Sequence, residues 1–319
     1  MKNVKLTTFI DLFAGIGGFR LAFEKLGLKC VFSSEIDKHA QKTYYENFGE
    51  IPAGDITKIK ESEIPQHDIL CAGFPCQAFS ISGKRLGFED TRGTLFFDIA
   101  RIAKCHKPKV IFLENVKNFK KHNNGKTFDA VLKVLDNLGY RVFYKVLNAS
   151  RFGVPTARER IYLVCFRKDI GNPNFAFPEP TRKNVYLKDI LEKNIDDSEY
   201  EIKRNDIKIN KNQIATPKMS PIQIGTINNG GQGERIYSVY GHAITLSAHG
   251  GGAAAKTGAY VINGKIRKLT PRECARVMGF PDSFKIATSK SQAYKQFGNS
   301  VAVPVVSQIA KNIIQTKVF

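Results

Sequence analysis

The chain is predicted to be an α/β protein: a doubly wound sheet followed by a second, smaller domain. Three observations carry this expectation. Between residues 7 and 170 short apolar runs alternate with amphipathic helical patterns, which implies a parallel sheet covered on both faces. A glycine-rich turn, "DLFAGIGGF", joins the first strand to the first helix. After about residue 180 the texture turns polar and then glycine-rich, as in a separate, loop-dominated unit.

Taken in order, "TTFIDLF", "KCVFSSE", "HDILCAG", "KVIFLEN" and "RIYLVCF" are rich in Val, Ile, Leu and Phe and read as strands. A further short strand is expected to end at Asp55 in "AGDIT", making "HDILCAG" the fourth and "KVIFLEN" the fifth. Between them "GGFRLAFEKLG", "KHAQKTYYENF", "TLFFDIARIAKC" and "TFDAVLKVLDNLG" carry apolar residues at spacings of three and four, the period of a helix face. Residues 219–268 place "NNGGQGERIYS" and "AHGGGAAAKTG" between short β-like runs. In "TPRECARVMGF" Thr270 is an N-cap, Pro271 takes the first helical position and Glu273 completes a capping box. The expected units are 1–187, 188–269, and 270–319 returning as helices to the first.

Composition narrows the function classes. The 319 residues are 42% hydrophobic, enough for a large core. Six cysteines are scattered, at 30, 71, 76, 105, 165 and 274, with no C-x-x-C pair. This argues for a reducing, cytoplasmic setting and against a disulfide framework. Asp11 and Arg20 interrupt the apolar N-terminal stretch too early for a membrane span or a signal peptide. Net charge is +20, from 49 Lys and Arg against 29 Asp and Glu, which makes nucleic acid the first candidate partner. Residues 101–126 hold eight of these bases around a single acid, Glu114.

In open α/β sheets ligands bind beyond the carboxyl ends of the strands. Gly15 and Gly17 fit the first two positions of a dinucleotide fingerprint, but Arg20 occupies the third, which disfavours NAD. Glu35 ends the second strand, where ribose hydroxyls would be accepted, and Asp55 can accept an adenine amino group. Without a pyrophosphate feature, these acids point to S-adenosylmethionine, with its methionine carboxylate at the amides of Gly15–Gly18.

Cys76, in "CAGFPCQAFSISG", taken alone is open to three readings, a buried structural cysteine (the commonest case), a disulfide or metal partner, or a nucleophile. Its place just past a strand end, beside the strand that ends at Glu114, suggests a use. Carbon 5 of cytosine accepts a methyl group only after a thiolate adds to carbon 6 while an acid protonates or hydrogen-bonds N3. Arg158 and Arg160 can lower the thiol pKa; surface pairing with Glu159 is the plainer alternative.

"DLFAGIGGFR", "GFPCQAFS", "ENV", "RERIYLVCFR" and "QFGNSV" occur in the order found in the DNA (cytosine-5)-methyltransferases, and the chain resembles that family over nearly its whole length. The resemblance implies an S-adenosylmethionine-dependent methyltransferase sheet, a small target-recognition domain, and double-stranded DNA in the cleft. It implies Cys76 as nucleophile, Glu114 on N3, Arg160 on the cytosine carbonyl and Arg158 in support. Cofactor contacts are implied from Phe13, Gly15, Gly17, Glu35, Ile36, Asp55, Ile56, Leu95 and Asn299. Close relatives carry an aromatic residue after the ribose-binding acid; Ile36 departs from this. No metal is expected.

The target cytosine must be flipped from the duplex to meet a thiolate. "SISGKRLGFEDTRG" has the polar, glycine-punctuated character of a closing loop, with Gln77, Ser80 and Ser82 as DNA contacts. Gln232, Glu234 and Arg235 on "GGQGERIYS" suit a G·C-rich site, since Arg pairs best with guanine and Glu accepts from cytosine N4. Thr245 is a candidate phosphate contact. The resemblance implies GCGC with its inner cytosine methylated, although His249 stands where a close relative has Tyr. A monomer is expected, within a restriction-modification system whose endonuclease is encoded nearby. Two rivals are a tRNA cytosine-5 methyltransferase on the same scaffold and a catalytically dead DNA-binding protein.

Overall fold

The computed structural model describes residues 6–74, 95–181, 183–210 and 217–319. Cys76, Gln77, Ser80 and Ser82 lie outside the described residues. Six strands form the main sheet: β1 (Thr8–Leu12), β2 (Lys29–Ser34), β3 (Ile69–Gly73), β4 (Val110–Val116), β5 (Tyr140–Asn148) and β6 (Glu159–Arg167). Their order is β2-β1-β3-β4-β6-β5. The first four pair in parallel, whereas β6 runs antiparallel to both β4 and β5. The sheet is therefore mixed, parallel with an antiparallel edge.

The period-two pattern is visible in what each residue touches. Phe9, Cys71, Phe112 and Val164 face one core, with α1 (Gly18–Glu24) and α7 (Val303–Gln315) upon it. Ile10, Leu70, Ile111 and Leu163 face the other, beneath α3 (Leu95–His106) and α4 (Lys126–Asn137). Both faces are dry, as a doubly wound sheet requires. Completing this half, α2 (Lys38–Phe48) is capped by Asp37, whose Oδ1 accepts from the amides of His39 and Ala40.

Two sequence expectations are corrected. No strand ends at Asp55: this residue caps a single 3₁₀ turn, Ile56–Lys58, and only Ala53 N–H to Ser33 O ties the segment to β2. Pro52 has no amide to donate, so a ladder cannot form there. The strand leading to Cys76 is thus the third, and Glu114 belongs to the fourth. In the other direction, β5 was missed. Lys and Arg interrupt its apolar residues because it is an edge strand, with Arg141, Tyr144 and Lys145 exposed.

A second sheet follows, in the order β11-β10-β9-β8-β7: β7 (Ile207–Ile209), β8 (Gln223–Ile227), β9 (Arg235–Ser238), β10 (Ala259–Ile262) and β11 (Lys265–Arg267). Its own core is small, built on Ile224, Ile227, Ile236, Ala254 and Ala259. The chain then forms α5 (Pro271–Val277) and α6 (Lys290–Asn299) before α7 packs on α1. The capping box at α5 is formed as expected, with Glu273 N–H on Thr270 Oγ1 at 3.0 Å and Thr270 N–H on Glu273 Oε2 at 2.9 Å. Among the described residues no helix is long and apolar enough to cross a membrane.

Candidate active site

A cavity of about 410 Å³ opens at the carboxyl ends of β1 to β4. One end is built from the turn after β1. Phe13 and Gly15 both have φ of 56°, and this left-handed path aims the Gly15 amide at Glu35 Oε2, 2.8 Å away. The other oxygen of Glu35 accepts from Asp37 N–H at 2.7 Å, and Gln41 Nε2 donates to the Glu35 carbonyl. Burial raises the Glu35 pKa while these amide bonds pull it down. Each carboxylate oxygen keeps a second lone-pair direction, so the acid is oriented and can still accept a hydroxyl.

Asp55 faces the same cavity. Thr57 donates to its Oδ1 from both amide and hydroxyl, at 3.0 and 2.8 Å, and these bonds hold the carboxyl below its ordinary range. Phe13, Ile56 and Leu95 supply apolar walls, and Ile36 stands at the wall with 67% of its surface exposed. Asn299, at the end of α6, also lines the space. Gly17 does not. With φ of 83° it caps α1, and a Cβ there would lie 2.2 Å from the Phe48 ring, so this glycine serves packing.

The other end carries the ionisable cluster. Glu114 is buried, and Arg160 Nε approaches its Oε1 at 3.1 Å. Burial raises the Glu114 pKa against the lowering pull of Arg160 and Arg158. Arg158 is itself buried and donates to three backbone carbonyls, Leu246 at 3.2 Å, Gly298 at 3.1 Å and Ser300 at 2.8 Å. Burial, then the charge of Arg160, brings its pKa down to about 10. Neither arginine forms an ion pair with Glu159, which instead takes Lys117 at 2.8 Å. Asn115 Nδ2 donates to Phe74 O at 3.0 Å, locking the end of β4 to the last described residue before Cys76.

A buried acid beside two guanidinium groups, sharing one cavity with an oriented carboxylate and apolar walls, fits a group-transfer centre. Residues 7–315 match the family described as "C-5 cytosine-specific DNA methylase". The chain belongs to this family. It is a DNA (cytosine-5-)-methyltransferase, and the reading as a tRNA enzyme falls with that assignment.

Among its relatives, this methylase is 58% identical to "Type II methyltransferase M.HhaI" of Haemophilus parahaemolyticus, over 98% of this chain and 96% of that one. It is 48% identical to "Type II methyltransferase M.HpaII" of Haemophilus parainfluenzae, over 97% and 89%. Among solved structures the S. pombe Dnmt2 methyltransferase superposes with a TM-score of 0.75 at 20% identity, covering 98% of this chain and all of that one; the likeness is one of fold.

The candidate DNA residues of the methylase have mixed surroundings. Gln232 and Arg235 are exposed, with Arg235 Nε on Gly230 O at 3.2 Å. Glu234 is spent on its own turn, accepting from Gly231 N–H and Asn228 Nδ2 at 3.1 and 3.2 Å. The Thr245 hydroxyl donates to Ala157 O at 2.8 Å, so it would have to exchange that bond to donate to a phosphate. Sequence reasoning missed Lys295, whose Nζ reaches Asp37 Oδ2 at 2.6 Å beside the cavity. The only signal was its place two residues before "FGNS".

Proposed function

We propose that the protein transfers a methyl group from S-adenosylmethionine to carbon 5 of a flipped cytosine, the inner one of GCGC. The observation that carries this is the single cavity shared by the Glu35–Asp55 end and the Glu114–Arg160 end. The residues suit the cofactor: an oriented acid for ribose hydroxyls, a second acid for the adenine amino group, and apolar side chains between them. Bound there, S-adenosylmethionine supplies an electrophilic methyl group.

The protein's part is to make cytosine a carbon nucleophile. The thiolate of Cys76 adds to carbon 6, while Glu114 delivers a proton to N3. The upward push on the Glu114 pKa keeps that proton in place at higher pH than an exposed glutamate would. Arg160 hydrogen-bonds the cytosine carbonyl, and Arg158 holds the surrounding backbone. After carbon 5 is methylated a water-borne base takes its proton, the thiolate leaves carbon 6, and the N3 proton returns to Glu114, which restores both ring and enzyme. Gln77, Ser80 and Ser82 contact DNA around the vacated position. Residues 188–269 form the target-recognition domain, with Gln232 and Arg235 as reader on a turn that Glu234 holds in shape, and Thr245 toward phosphate. The enzyme acts as a cytoplasmic monomer; relatives named type II methyltransferases support a partner endonuclease.

Mapping methylated cytosines in DNA exposed to protein and cofactor tests the target, and marks outside GCGC would overturn it. A duplex carrying 5-fluorocytosine should trap the enzyme covalently, because fluorine blocks the final proton loss. Cys76→Ser should abolish both trapping and methylation while retaining DNA binding; turnover by that variant would sink the covalent mechanism.

A further inference from the structure

We infer that the exposed lysines between Lys117 and Lys126 form a surface that grips the phosphate backbone of the substrate duplex beside the catalytic cavity. The inference rests on the DNA reading above and adds a contact outside the cavity and outside the glycine-rich loop. The sequence shows one run of eight bases from residue 101 to 126, but the fold divides it. Arg101 turns to Asp98 and Glu61 at 2.9 Å each, and Lys109, just before β4, lies by Asp68 and over the Phe319 ring. Lys117, Lys120, Lys121 and Lys126 instead follow the carboxyl end of β4, immediately after Val116 of the cavity wall.

All four are exposed, and the segment 117–126 contains no acid. From Lys117 to Lys145 there are seven bases against Asp129 and Asp136; Asp136 is engaged by Lys168 at 2.7 Å, and Lys145 pairs with Glu179 at 3.6 Å. Glu159 offsets Lys117 alone. Among the described residues Lys121 and Lys126 have no acidic partner. An unneutralised cluster of this kind repels itself and gains by meeting a polyanion.

The segment is also anchored at one point. Phe119 is fully buried, edge-on to Phe74 at 5.5 Å and to Phe128 at 5.8 Å, and Phe128 meets Tyr144 at 5.0 Å. Lys120 lies over that tyrosine ring, 5.2 Å from its centre. Because Phe74 lines the cavity, the same aromatic stack supports both the site and the lysines. A charge held in place, as that of Lys120 is, loses little freedom on binding.

Each lysine that neutralises a phosphate releases about 0.9 counterion, so the triple variant Lys120→Gln, Lys121→Gln, Lys126→Gln should have a salt slope shallower by about 2.7. Over a fourfold rise in salt the wild type would then lose about 40-fold more affinity than the variant. The loss at low salt should be alike on GCGC and non-cognate duplexes. The Lys→Arg triple should keep the wild-type slope. Lys121→Gln with Lys126→Gln leaves the Tyr144 stack intact and should flatten the slope by about 1.8. Cofactor titration and unfolding midpoints report folding independently. An unchanged slope, or a loss confined to GCGC, would overturn this surface. Wild-type protein that neither binds nor methylates duplex DNA would overturn the function reading itself.

Discussion

Glu114 and Asp11 are both buried carboxyls, yet their surroundings give them different work. Glu114 has guanidinium groups beside it and a cavity in front. Glu114→Gln keeps a hydrogen-bond donor but removes the transferable proton, so single-turnover methylation should slow by about 10²–10⁴-fold. An unchanged rate would make the residue structural. Asp11, next to last in β1, is fully buried, and burial pushes its pKa up to about 8 against the lowering pull of Arg20. Between its ordinary value and about 8 the folded state holds a proton that the unfolded chain has released, so stability falls as pH rises through that window. Asp11→Asn should flatten this fall, read as denaturation midpoints at about pH 5 and about pH 8. Equal slopes in the two proteins would contradict it. At this scale Glu35 and Glu114 were legible because they sit at strand ends, whereas Phe13, Ile36, Ile56, Leu95 and Asn299 came from the family resemblance. It could not show that Glu234 is taken up by its own turn, since that bond depends on the path of the loop.

At the scale of elements, the site depends on how closely α6 approaches the segment after Thr245. A Cβ on Gly298 would lie 2.4 Å from the Ser247 carbonyl carbon and 2.5 Å from the Ala248 nitrogen. Neither backbone atom can rotate away, unlike a side-chain tip. Gly298→Ala should therefore separate the carbonyls of Gly298 and Leu246 that Arg158 bridges. We expect a cost of about 1–3 kcal/mol in chemical denaturation, as for overpacking, with weakened cofactor binding. Wild-type values for both would show that the contact yields. The α5 cap was readable because all its partners lie within four residues. The β5 strand was not, because Arg141 and Lys145 interrupt its apolar residues on the exposed side.

Across the whole molecule, the second sheet is tied to the returning helices by a buried charge cluster. Arg267, the last residue of β11, is fully buried between Glu273 of α5, at 2.7 Å from both its terminal nitrogens, and Asp197 at 2.6 Å. Glu192 joins it through its amide to Glu273 and its side chain to Thr270. Removing one partner leaves the others charged and dry. Arg267→Met should cost about 3–5 kcal/mol in denaturant unfolding. A loss under about 1 kcal/mol would show that the cluster reorganises without penalty.

The sequence by itself determined the α/β class, the alternating faces of the strands, the helix cap at Thr270 and the place of Glu35 and Glu114 at strand ends. Each follows from a local period or a short motif, since backbone geometry repeats every two or 3.6 residues. The tertiary structure decided which lysines of one basic run share an end with the cavity, that Asp37 meets Lys295, and that Arg158 joins three distant carbonyls. Those partners lie 88 to 258 residues apart. They meet only because packing of both sheet faces brings the chain's end back over its beginning, and no local pattern records that distance.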